Sequence, residues 1–120
     1  MNKTTTYSCV LGCAIAYLRA ASDTTQEELA ESSGTSRATI AAVEAGIQDC
    51  MLGRLQDFAF ACNQLPIELF SLAEKGAAHL TSQGIKVRYG FIPEVAESRE
   101  ENLLTKRSLY PLLRQFWKQG

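Results

Sequence analysis

The chain has 120 residues, of which 46% are hydrophobic and 21% charged, and its formal net charge is −1. That length suits one domain with an appendage, and that composition excludes a disordered chain. No apolar run approaches the roughly 20 residues that span a bilayer, and Met1 to Leu18 lack the continuous apolar core and cleavage site of a signal peptide, so a cytoplasmic location is expected.

The first predicted helix covers about Ser8 to Ala21, with Val10, Leu11, Ala14, Ile15 and Leu18 on its inner side. Asp23-Thr24-Thr25 reads as a turn and a cap. A second short helix starts behind Thr25, with Glu27 and Glu28 in the first turn, where carboxylates complement the helix dipole. Leu29 and Ala30 form its inner face, and Gly34 supplies the positive φ that ends it. Ser36 caps a third helix whose Ile40 and Val43 share a face, and Gly46 closes it. Two short amphipathic helices joined by so tight a turn have the layout of a helix-turn-helix.

The loop from Gly46 to Cys50 leads to a fourth predicted helix, about Met51 to Cys62, where Leu52, Leu55, Phe58, Ala59 and Cys62 repeat at helical spacing. Pro66, tolerated in a first turn, opens a fifth that runs to Ala73 or a little beyond, with Leu69, Phe70 and Leu72 inward. Gly76 and Gly84 bracket a weaker segment. Lys86-Val87-Arg88-Tyr89 alternates as a short strand does, and Pro93 breaks it. Ser98, Glu100 and Glu101 open a last helix that runs to about Lys118, and Pro111 inside it predicts a kink or break near Tyr110.

Cys9, Cys13, Cys50 and Cys62 form no C-x-x-C pair and His79 is the only histidine, so no metal site is expected. Cys9, Cys13 and Cys62 read as buried reduced thiols; Cys50 falls in a loop, but with no sign of a lowered thiol pKa no redox role is assigned to it. Without a glycine-rich phosphate loop or converging titratable groups, no catalytic residue, cofactor or enzymatic activity is expected.

From Leu11 to Phe70 the chain resembles the lambda-repressor/Cro-like (XRE-type) helix-turn-helix family. The resemblance rests on Leu11-Gly12, Leu18-Arg19, Thr25 to Ala30, Gly34 to Arg37, Ile40, Val43-Glu44, Gly46, Leu52, Leu55, Ala59 and Leu65 to Phe70, in unbroken order. It implies an all-α fold, with a five-helix DNA-binding domain over residues 7–72. Residues 73–120 would follow as a mainly helical extension, with one short strand, that serves dimerisation or partner binding. It also implies a sequence-specific transcriptional regulator, a repressor, that binds double-stranded DNA as a homodimer with its third helix in the major groove. Carried over by position, Gln26 bonds a phosphate and braces the recognition helix, while Thr35 and Ser36 meet the DNA backbone or a thymine methyl. Arg37 donates to guanine O6 and N7, and Ala38, Thr39, Ala41 and Ala42 line the same surface. Glu44 matches a position whose carboxylate ties helices together.

The charge is unevenly spread. Residues 7–72 carry three basic against eight acidic side chains, whereas residues 73–120 carry eight basic against five acidic. The recognition helix shows Ala41, Ala42 and Ala45 where the family carries polar or basic groups, and the loop after Gly46 reads Ile-Gln-Asp-Cys, without a cation. Phosphate neutralisation supplies most non-specific affinity for DNA. Three readings therefore stay open: the basic C-terminal part compensates, dimerisation doubles a weak half-site, or the scaffold serves as a protein-interaction module. The family's range also includes antitoxins. The apolar face of the last helix, with Leu109, Leu113, Phe116 and Trp117, is expected either to meet a second copy or another protein, or to fold back on its own subunit's core.

Overall fold

Three hydroxyl side chains set the helix starts. Thr6 accepts a hydrogen bond from Cys9 N at 3.1 Å, Thr25 one from Glu28 N at 3.0 Å, and Ser36 one from Thr39 N at 3.1 Å. Each satisfies an otherwise unpaired N–H of a first turn. Glu28 accepts in return from Thr25 N at 2.9 Å, which completes a capping box. A computed structural model describes residues 3–89 and 103–119. Its elements are β1 (Thr4–Thr6), α1 (Tyr7–Ala21), α2 (Gln26–Ser33), α3 (Arg37–Glu44), α4 (Leu52–Ala61), α5 (Pro66–Ser82), β2 (Lys86–Arg88) and α6 (Lys106–Gln119).

The fold is mainly helical, as expected, and α1 lies at its centre, packed on α3, α5 and α6. Val10, Ala14 and Ile15 of α1 join Leu29, Ile40, Val43, Leu55, Phe58 and Leu69 in one buried cluster. Leu11 and Leu18 are half-buried at its edge. Leu52 corrects the expected inner face of α4. It is 62% exposed, because it starts the helix one turn before the first side chain that reaches the core, Leu55.

Two glycines let α3 press on α1. A Cβ on Gly12 would sit 2.4 Å from the Glu44 carbonyl oxygen and 2.5 Å from that of Val43. Gly46, just past α3, has φ +75, and a Cβ there would fall 2.6 Å from Cys9 Cα. Backbone atoms of both partners fill these spaces, so no side chain can relieve the contact.

Toward the C-terminus the structure departs from expectation. α5 runs nine residues past Ala73, through the expected boundary between residues 72 and 73. Ala73, Gly76, Ala77 and Leu80 are all buried and continue the helical period. Gly76 looks like punctuation in the sequence, yet it makes room for Trp117, whose Cζ2 lies 3.0 Å from where a Cβ would stand.

α6 starts at Lys106, whereas the expected helix start at Ser98, Glu100 and Glu101, and the expected break at Pro93, lie outside the described residues. Leu103 bridges Thr4, and Leu104 N donates to Thr4 O at 2.7 Å, so these two residues extend a small sheet instead of the helix. In that sheet β1 pairs in parallel with β2, Thr4 opposite Lys86, Thr5 opposite Val87 and Thr6 opposite Arg88. Two strands thus stand where one was expected. α6 also continues through Pro111 without a break. The carbonyl that the proline leaves unpaired belongs to exposed Arg107, where water can satisfy it.

The apolar face of α6 takes the second of its two expected courses. Leu109 and Leu113 are fully buried and Trp117 is 7% exposed, all within the chain's own core. Trp117 Nε1 donates to Leu72 O at 3.0 Å, and its ring meets Tyr17 with centroids 5.2 Å apart. Phe116 is half-buried and stacks on His79 at 4.0 Å. Leu109, Leu113 and Trp117 are therefore not an exposed partner face: covering their area within the chain removes it from water without a second subunit, while Phe116 stays partly exposed.

Gly12→Ala is expected to destabilise the fold by roughly 3 kcal/mol or more, the upper range for forcing an atom into a packed interior. A urea titration followed by circular dichroism checks this, with Gly53→Ala, at a site open to solvent, as the comparison.

Candidate nucleic-acid interface

The turn between α2 and α3 is built by Gly34, with φ +69, and by Thr35 N donating to Ala30 O at 2.9 Å. Arg54 Nη1 reaches across from α4 to Ser33 O at 2.6 Å and satisfies the carboxyl end of α2. α3 then turns Ile40, Val43 and Glu44 inward. Arg37 and Ala38 are exposed on its outer side, with Thr39, Ala41 and Ala42 half-buried beside them. Ser36 is exposed, but its hydroxyl is engaged as the cap and lies 2.9 Å from Thr39 Oγ1. Thr35 is half-buried in the turn.

Arg37 occupies the first position of α3, its side chain 64% exposed. Its Nε lies 4.0 Å from Glu27 Oε1, a long ion pair between two exposed groups. Such pairs contribute little, so the guanidinium is available to another acceptor. Arg37, Gln26, Glu27, Thr25 and Arg19 line one shallow groove. Of the expected contact residues, the structure thus brings Gln26 and Arg37 together. It places Ala38, Thr39 and Ala42 on the helix that starts at Arg37, with Thr35 and Ser36 in the turn before it.

Gln26 does not simply point outward. Its Nε2 donates to Glu44 Oε1 at 3.0 Å, a brace between the start of α2 and the end of α3. Glu44 is fully buried and takes three more hydrogen bonds. Arg19 supplies two of them, Nε to Oε2 at 2.6 Å and Nη2 to Oε1 at 3.1 Å. Lys106 Nζ donates to Oε1 at 2.9 Å. Burial by itself pushes the Glu44 carboxyl up, but the hydrogen bonds from Arg19, Lys106 and Gln26 outweigh it and hold the group below its ordinary value. The same hydrogen bond raises Arg19 above the ordinary guanidinium value.

A family model described as "Helix-turn-helix" matches residues 15–70. Residues 15–70 are an XRE-type helix-turn-helix domain. The crystal structure of the clp gene regulator ClgR from Corynebacterium glutamicum has the same fold over 64% of this chain and 82% of the other, with a TM-score of 0.62 and 25% sequence identity. No curated protein sequence matches at significance.

Within this helix-turn-helix domain Glu44 ties helices together, the role its position implies. Sequence reasoning missed its partner Lys106, which comes from α6, 62 residues away. Arg19 carried a weak signal, since it stands at the end of α1 on the side where Glu44 arrives. Burial pushes the Cys50 thiol up and away from the reactive thiolate. Among the described residues no group of His, Cys, Asp or Glu can hold a metal, and no helix is long and apolar enough to cross a membrane.

The Glu44 cluster sets a dependence on pH. A carboxyl whose pKa is lower in the folded state adds stability above its ordinary value of 4.5 and loses it as pH falls through the folded value. Glu44→Gln is expected to cost about 3 kcal/mol at neutral pH, since it leaves Arg19 and Lys106 facing a neutral amide, and to flatten the loss of stability on the acid side of pH 4.5. Urea midpoints over a series from neutral to acid pH measure both.

Proposed function

We propose that this chain is a transcriptional repressor that binds an operator in double-stranded DNA as a homodimer, with α3 in the major groove. The observation that carries this reading is Arg37, exposed at the amino-terminal end of a recognition helix whose other side is fixed by Ile40, Val43 and Glu44. A guanidinium there suits bidentate donation to guanine O6 and N7. Gln26, with its amide nitrogen tied to Glu44, serves phosphate and brace together. Thr35, Ser36 and Thr39 meet backbone or base edges, and Ala38 and Ala42 allow close approach to thymine methyls. Occupying an operator that overlaps a promoter suffices to exclude polymerase, so repression needs affinity alone.

Residues 7–72 act in this reading as the DNA-reading part and residues 73–120 as its supporting extension. Two copies on one operator place their recognition helices about 34 Å, one turn of DNA, apart. The apolar face of α6 does not serve their contact. Exposed Phe60, Leu65 and Ile67, all at the turn between α4 and α5, suit it better.

Arg37→Ala is expected to lower affinity for the preferred duplex by about 1–3 kcal/mol while affinity for random duplex changes little. Fluorescence anisotropy on a duplex enriched from a random library, beside an unselected one, measures this. Unchanged circular dichroism confirms that the variant is folded. Normal discrimination by the variant contradicts the assignment of Arg37, and failure of the wild type to bind any duplex at low salt favours a protein-interaction module.

A further inference from the structure

α6 carries two neighbouring rows of side chains, each spaced four residues apart and offset from the other by one. Leu109, Leu113 and Trp117 form the buried row. Lys106, Tyr110, Arg114 and Lys118 form a second row beside it, with Arg107 adjoining, and the helix contains no acidic residue. All four cations of α6 therefore lie along one side. Arg107, Arg114 and Lys118 are exposed, and none has an ion-pair partner among the described residues.

This row continues the surface that presents Arg37. Arg19 lines the groove that holds Arg37 and Gln26, and its guanidinium shares the Glu44 carboxylate with Lys106. Past Lys106, a mainly apolar cleft lies between Ala45 and Ile47 on one wall and Arg107, Tyr110 and Pro111 on the other. Burial raises the Tyr110 phenol, and the charges of Arg114 and Arg19 both oppose it. Arg37 and Arg19 thus share one groove, Arg19 and Lys106 share one carboxylate, and Lys106 and Arg107 share the cleft beside the end of α3. The segment after α3, Ile47-Gln48-Asp49-Cys50, has no cation of its own, and the start of α6 stands beside it at Ile47.

We propose that the exposed cations of α6, held in place by the Lys106–Glu44 contact, grip phosphates of the duplex next to the sequence read by α3. The proposal rests on the DNA-binding reading above and names where the missing phosphate contacts come from. Exposed cations at Arg107, Arg114 and Lys118, seven and four residues apart along one side of a rigid helix, can meet a line of backbone charges, and their contribution carries no base preference. It also explains how a domain with three basic and eight acidic side chains over residues 7–72 approaches a polyanion.

The test is a full-length variant with Arg107→Gln, Arg114→Gln and Lys118→Gln. Lys106 is kept, because it is part of the fold. Binding is followed by fluorescence anisotropy over a salt series, on the enriched duplex and on an unselected one. Each lost phosphate contact lowers the steepness of log K against log salt by roughly 0.9, so a fall of about 2–3 is expected. Affinity for the two duplexes should drop by the same factor, leaving their ratio unchanged, and lysine at the two arginine positions should restore the steepness. A wild-type salt dependence in a variant that still binds DNA overturns this proposal alone. The same salt dependence accompanied by a change of oligomeric state in sedimentation assigns the row to protein contact and also overturns it. Failure of the wild type to bind either duplex overturns the DNA-binding reading beneath it as well.

Discussion

A single buried carboxylate organises the molecule. Glu44 ends α3, is shut off from solvent, and receives hydrogen bonds from α1, α2 and α6 at once. A buried charge with no partner is expensive, so the fold is consistent only when Arg19, Gln26 and Lys106 all arrive. The carboxylate therefore acts as a registration point. It sets the height of α3 against α1, to which the close contact at Gly12 adds a steric stop, and it draws the start of α6 to the end of α3.

The second constraint lies at the other end of α6. Trp117 fills the space opened by Gly76 and bonds to the carbonyl of Leu72. Lys106 and Trp117 hold the helix at both ends, so its outward side is as fixed as its buried one. This is why residues beyond the helix-turn-helix domain matter to the surface that domain presents. They cover its core, and they put four positive charges beside a strongly acidic segment.

Much of this was legible in the sequence, for local reasons. Thr25 with Glu28, Gly34 and Ser36 each act within a few residues, so the turn between α2 and α3 could be read directly. Exposure of Arg37 followed from the inward phase of Ile40 and Val43. What escaped depends on distant partners. Thr4-Thr5-Thr6 is too polar and short to announce a strand, and only β2 and Leu104 make it one. Gly76 looked like a helix breaker because its neighbour Trp117 is 41 residues away in the chain. Pro111 looked like one too, but tertiary packing of Leu109, Leu113 and Trp117 carries the helix through it. The apolar face of α6 has the same pattern whether it meets its own core or another protein, so periodicity alone left both courses open.

The proposed DNA contact is one surface, running from Gln26 and the turn at Thr35 along the outer side of α3. Chemical-shift mapping of the isotope-labelled chain during titration with duplex DNA tests it most directly. The largest changes are expected at Gln26, at the amides from Thr35 to Ala42, and next at the start of α6. Changes confined to the turn between α4 and α5, or to the cleft where His79 stacks on Phe116, would contradict it.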